Sequence, residues 1–216
     1  MPKINVGQMV GFVVGQALLA FVRLSTGVHL RESGLPPGLT QRVYFSNHTS
    51  IGDFILIWAV MSPELRRTTR TVAAEDYWTS SALRRFLALN VFNALLISRC
   101  GQGGAQRMTE ALRRGESLII FPEGTRNTSA AWLTPFKSGL YHLACEHPQV
   151  QFIPVWIDNL RNVMPKGAWL PLPLVCSVGM GAPLPLRPSE PTLAFLERAQ
   201  EAVLALKPDS QAAVPC

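Results

Sequence analysis

Two short stretches hold the residues best suited to proton transfer and anion binding. The first is "SNHTSIGDF", residues 46–54, where His48 stands five residues before Asp53. A histidine can take up and return a proton near neutral pH. It does so reliably when a carboxylate bonds its other ring nitrogen and fixes the tautomer. On a regular helix the two would fall on different sides. Across a strand-to-helix turn, His48 can fold back towards Asp53. A purely structural reading competes: Thr49 or Ser50 caps the next helix, Asp53 favours its positive end, and His48 is incidental.

The second stretch is "FPEGTRN", residues 121–127. Pro122 stops a strand, and Gly124 permits tight backbone geometry and close approach of a ligand. Glu123, Thr125 and Arg126 then present an acceptor, a hydroxyl and a guanidinium within one turn. Arginine suits two-pronged phosphate binding. An ordinary turn with an internal Glu–Arg pair would use the same letters. "LLISR", residues 95–99, puts Arg99 at a strand's end, and Lys137 in "FKSG" is a further candidate cation.

The elements that must position these residues alternate along the chain. Strands are expected at 41–46, 69–74, 94–98, 117–121, 151–158 and 174–179. Helices are expected at 51–61, 80–88, 105–114 and 137–146, with 101–104 as a loop. Pro191 opens a last helix with Leu193, Leu196, Val203 and Leu206 towards one side. Strands separated by helical patterns predict a single-domain α/β fold, with a mostly parallel or mixed central sheet flanked by helices. In such sheets function gathers in loops beyond the carboxyl ends of strands. His48–Asp53, Arg99 and the 122–127 stretch all follow expected strands.

Composition narrows the partners. The chain has 216 residues, 48% hydrophobic and 16% charged, with mean hydropathy +0.18 and formal net charge +6. The basic residues come in small clusters (Arg66, Arg67, Arg70; Arg84, Arg85; Arg113, Arg114) without aromatic interleaving. That pattern excludes nucleic acid as the leading partner. It fits an anionic membrane surface or an acidic protein. Cys100, Cys145, Cys176 and Cys216 lie far apart, with no metal-ligand or disulfide-framework spacing. A reducing, cytoplasmic-face location follows, with no metal or cofactor called for.

Ile4 to Val22 is free of charge and bounded by Lys3 and Arg23. Gly7, Gly11 and Gly15, four apart, share one helix face where another surface can approach closely. The expectation is a membrane-associated N-terminal helix (1–25), a catalytic domain (26–208) and a loose tail (209–216). A helix packed on the domain is the alternative.

Taken together, the ordered blocks resemble those of the glycerolipid acyltransferases, and within them the 1-acylglycerol-3-phosphate (lysophosphatidate) acyltransferases. The blocks are Asn47-His48-x-Ser50-x-x-Asp53, a strand ending in Arg99, Phe121 to Arg126, and Ile153-Pro154-Val155. The resemblance covers roughly residues 40–160. It implies His48 as catalytic base and Asp53 as its orienting partner. It implies Arg99, Glu123, Gly124, Thr125 and Arg126 at the acceptor, and Pro154 shaping a pocket. The implied donor is acyl-CoA or acyl carrier protein, and the acceptor a lysophospholipid at a membrane surface. Two departures bear on the acceptor and leave the reaction type intact, so the alternative is the same chemistry on another lysophospholipid, an aminolipid or an ornithine-type lipid. Asn93 and Ser98 stand where the second block usually has glycine and an acidic residue, and Ile51 and Gly52 where bulkier residues are common. A thioester hydrolase would need a nucleophile, and no G-x-S-x-G motif is present. A non-catalytic membrane-binding protein would leave His48 without a task.

Overall fold

Short apolar runs bounded by polar turns become strands that are covered on both sides. The computed structural model describes residues 6–35, 38–98, 103–158 and 175–208. Among these, seven strands form one mixed sheet: β1 (His29–Ser33), β2 (Arg42–Ser46), β3 (Thr69–Ala74), β4 (Leu95–Ile97), β5 (Ser117–Ile120), β6 (Gln151–Asp158) and β7 (Ser177–Met180). Their order is β1-β7-β6-β2-β5-β3-β4. Only β6 and β7 run antiparallel; every other neighbouring pair is parallel. The expected single α/β domain is what forms.

Alternation along the central strands divides the core. Tyr44, Ile119, Ile153 and Val155 face one layer, with Phe54, Ile57 and Trp58 from α2 (Asp53–Val60) packed on them. Val43, Phe45, Leu118, Ile120 and Phe152 face the other. That layer is closed by α6 (Gly103–Arg113), α7 (Gly139–Glu146) and α8 (Thr192–Leu204). Each fully buried large side chain contributes roughly 1.5–3 kcal/mol, so the two layers supply most of the cohesion.

Sheet pairing changes at one point that matters for the site. β3 pairs with β5 through Thr69–Thr71, then with β4 from Val72 to Ala74. Strands β3 and β5 therefore part after Thr71. Three short helices lie on that side: α3 (Pro63–Thr68), α4 (Glu75–Trp78) and α5 (Ala82–Phe86). After α5 comes a π turn, Leu87–Val91, closed by Phe92 N donating to Leu87 O at 2.9 Å. Asn93 then takes φ 47°. That left-handed geometry favours glycine, and asparagine is among the few other residues that tolerate it. The departure from glycine at this position therefore keeps the backbone.

The N-terminal segment forms α1 (Val6–Thr26), a 21-residue helix. Its stretch Met9–Thr26 is long and apolar enough to cross a membrane. The glycine face meets the protein itself. A Cβ on Gly11 would lie 2.2 Å from Asn90 O, and one on Gly15 would lie 3.5 Å from Val91 Cγ1. At its other end Arg23 donates through Nε and Nη2 to Ala59 O, at 3.0 and 2.6 Å. Met9, Phe12, Val13, Phe21 and Leu24 point outward.

Several boundaries differ from expectation. Gly103 and Gly104 belong to α6, not to a loop. The expected helix 80–88 is α5 plus the π turn, and α4 precedes it. β1 carries no apolar alternation (HLRES) and is held by pairing with β7. On α8 the buried residues are Phe195, Leu196, Ala199 and Val203. Leu193 is exposed, because at 100° per residue it stands roughly opposite Phe195. The expected tail, 209–216, lies outside the described residues.

Candidate active site

The first block is built where β2 ends. Asn47 is buried, and its side chain grips β6 twice: Nδ2 donates to Ile157 O at 2.9 Å and Oδ1 accepts from Ile157 N at 2.8 Å. This clamp fixes the chain one residue before His48. The turn then brings His48 Nδ1 to 2.8 Å from Asp53 Oδ2. The same oxygen accepts from Thr49 N at 2.6 Å and Ser50 N at 2.9 Å. Thr49 and Ser50 do not cap α2; its N-cap is Gly52, without a side-chain bond. The relation is the reverse of a cap, since the buried carboxylate organises the turn. With Nδ1 donating to Asp53, Nε2 is left as the ring's proton acceptor. His48 stacks on Phe121, with centroids 4.2 Å apart.

The third block follows β5 and wraps around the first. Glu123 is 4% exposed. Its Oε1 accepts from His48 N at 2.8 Å; its Oε2 accepts from Thr134 N and Oγ1 at 2.8 and 2.6 Å. Asn127 N donates to His48 O at 2.7 Å. Gly124 has φ +74°, and a Cβ there would lie 2.6 Å from Lys137 Cε. The Lys137 side chain thus lies across the loop, while its backbone N donates to Pro122 O at 2.9 Å.

These residues border a cleft of about 470 Å³ in the gap where β3 leaves β5. One wall is Val72–Ala74, the other Ile120–Pro122. The body is apolar, drawing Phe54, Trp78 and Phe92 from one core layer and Ile97, Met108 and Leu143 from the other. His48, Gly124, Thr125, Arg126 and Lys137 also line it. Arg126 and Lys137 are exposed and have no ion-pair partner among the described residues. A base, two cations and an apolar cavity therefore share one space. Such a space can seat a long apolar chain and an anionic head on either side of a proton acceptor.

Three expected site residues do not border the cleft: Asp53, buried behind His48, Glu123 and Pro154. Glu123 does not border it, because both its oxygens face the protein interior. Pro154 is buried in β6 opposite Phe45, and its carbonyl accepts from Gly181 N at 2.9 Å. Arg99 lies outside the described residues. Among the described residues no cluster of His, Cys, Asp and Glu has the arrangement of a metal site. The Cys176 thiol is fully buried, and burial, then Asp158 and Asp53, push its pKa up to about 11. It is a core thiol, not a nucleophile.

Sequence reasoning passed over Asn47, Phe121, Asn127, Thr134 and Gln200 as working parts. For Asn47 the signal was present, as a polar residue directly after an apolar strand. For Gln200 there was none: its Nε2 donates to Thr134 O, 66 residues away in the chain, at 2.9 Å.

The fold and site give an α/β sheet with a His–Asp pair, a following glycine turn and an apolar cleft, and the comparisons supply the class of protein that carries them. The acyltransferase family model matches residues 32–158, and the chain belongs to that family. A 1-acyl-sn-glycerol-3-phosphate acyltransferase of Limnanthes douglasii is 28% identical over 182 residues, covering 82% of this chain and 60% of that protein. The alpha enzyme of the same name from Mus musculus is 30% identical over 156 residues, covering 69% of this chain and 52% of its own length. This chain thus spans little more than half the length of these curated relatives. The crystal structure of the 1-acyl-sn-glycerophosphate (LPA) acyltransferase PlsC from Thermotoga maritima superposes with a TM-score of 0.68 at 21% identity. The match covers 91% of this chain and 76% of that one, and establishes the shared fold.

Proposed function

We propose that the protein moves a fatty acyl group from an acyl thioester to the free hydroxyl of 1-acylglycerol-3-phosphate, giving phosphatidic acid. The observation that carries this reading is the His48–Asp53 pair at an apolar cleft that also meets Arg126 and Lys137. The names of the relatives support the choice of acceptor.

The chemistry follows from the groups present. The acyl chain lies among Phe54, Trp78, Phe92 and Ile97, where burial of its methylenes holds it. Arg126 and Lys137 draw the acceptor phosphate to the cleft, and Arg99 joins them by its place in the second block. Holding both reactants in this way removes much of the entropic barrier. The acceptor oxygen attacks the thioester carbonyl carbon as His48 Nε2 takes its proton. The C–S bond then breaks, and the thiolate leaves with the proton from the imidazolium. Asp53 keeps the tautomer and stabilises the charge that forms on the ring. The thioester is already activated, so no acyl-enzyme is needed.

In this reading residues 26–208 perform transfer, and α1 holds the domain at the cytoplasmic face of a membrane. The donor is acyl-CoA or acyl carrier protein. A panel assay tests the acceptor: thiol release from acyl-CoA, and from acyl carrier protein, with lysophosphatidate, with neutral or zwitterionic lyso-lipids, and with none. Release that needs lysophosphatidate supports the proposal. Equal release with no acceptor identifies a hydrolase and contradicts it.

A further inference from the structure

The loop around Glu123 is tied to the far end of the chain. Oε1 of this buried carboxylate takes the backbone N–H of His48, and Oε2 takes both donors of Thr134. Its neighbours Gly124, Thr125 and Arg126 line the cleft, but Glu123 does not. Three donors on one buried carboxylate satisfy it without any ligand. Thr134 precedes Pro135, whose ring confines it to extended backbone. That geometry presents its N–H and hydroxyl to Glu123 while its carbonyl accepts from Gln200 Nε2 on α8. Helix α8 is itself anchored by Phe195, Leu196, Ala199 and Val203 in the second core layer. On the other side of His48, its carbonyl is held by Asn127 N at 2.7 Å. Both backbone polar groups of the histidine are therefore fixed by one loop, and that loop is braced by α8. Gln200 lies beyond the residues matched by the family model.

We propose that Gln200, Thr134 and Glu123 form a positioning relay that sets the main chain of His48. In this relay Glu123 acts on the histidine and not on the acceptor lipid. The proposal rests on the acyl-transfer reading for its kinetic consequence, but not for its structural one. An ångström of misplacement at a reacting group is enough to slow the chemical step about a hundredfold, so a brace of this kind acts on turnover.

The test uses the full chain and four variants: Thr134→Val, Thr134→Ser, Gln200→Leu and, as a contrast, Arg126→Ala. Thr134→Val removes the hydroxyl donor and keeps the shape; Thr134→Ser restores it. We expect kcat to fall about tenfold in Thr134→Val and Gln200→Leu, with acceptor KM within about twofold of the wild type. Thr134→Ser keeps wild-type turnover. Arg126→Ala raises acceptor KM instead. A rise in acceptor KM at unchanged kcat in the two relay variants, as in Arg126→Ala, would overturn the proposal. Amide hydrogen exchange supplies a reading independent of activity. Loss of protection at the His48 amide in Thr134→Val, with Val43–Phe45 of β2 still protected, supports the relay. An unchanged His48 amide overturns it, even if the wild type transfers no acyl group and the functional reading itself fails.

Discussion

The imidazole of His48 lies on the ring of Phe121, with centroids 4.2 Å apart and planes 21° from parallel. One edge of the histidine is bonded to Asp53 and one face is covered by a phenylalanine, so the ring has little room to turn. Phe121 is the first residue after β5 and is therefore carried by a central strand. Phe121→Ala removes the stack but no hydrogen bond. The expected outcome is a fall in kcat of about tenfold, the size of one aromatic pair, beside a stability loss of about 1–3 kcal/mol, since the half-buried ring also packs on the first core layer. Steady-state kinetics beside a thermal melt separates the two quantities.

Asp53 supports both the histidine and the turn that carries it. Oδ2 takes three donors, whereas Oδ1 is buried with no hydrogen-bond partner among the described residues. In Asp53→Asn the amide oxygen can take the place of Oδ2, which buries an unpaired NH2 at the site of Oδ1. The negative charge facing the imidazolium is also lost. We expect kcat to drop by roughly 10³-fold, together with a stability loss of about 1–3 kcal/mol for the unsatisfied group. Chemical denaturation and single-turnover rates measure the two effects independently.

Gly124 links backbone geometry to the position of a cation. Its φ of +74° disfavours any side chain, and a Cβ would lie 2.8 Å from Lys137 Nζ. Gly124→Ala is expected to lower stability by about 1–2 kcal/mol and to raise the KM for lysophosphatidate by displacing the lysine. Lys137→Ala should reproduce the KM effect without the loss of stability. If it changes neither KM nor kcat, Lys137 does not serve the acceptor.

Much of the frame was legible because it follows local rules. The strands Thr69–Ala74 and Gln151–Asp158 begin and end where their apolar pattern does. The polar stretches at His48 and Gly124 were readable as loops after strands. What escaped has physical causes. β1 has no pattern of its own and exists through β7. The π turn meets α1 where Asn90 lies against Gly11, a contact between segments far apart in the chain. The close approach expected at the glycine face of α1 is present, and its partner at Gly11 and Gly15 is this domain. The role of Glu123 was the least legible. A Glu-Gly-Thr-Arg turn suggests a ligand site for all four residues, and only tertiary structure turns the carboxylate inward, towards His48 and Thr134.

The central claim is that His48 acts as the base at this cleft. The most direct measurement is the rate of thiol release from acyl-CoA with saturating lysophosphatidate, compared between the wild type and His48→Ala with matched thermal unfolding curves. A loss of at least about a thousandfold in the variant, with the fold intact, is the predicted result. Equal rates in the two proteins would contradict it.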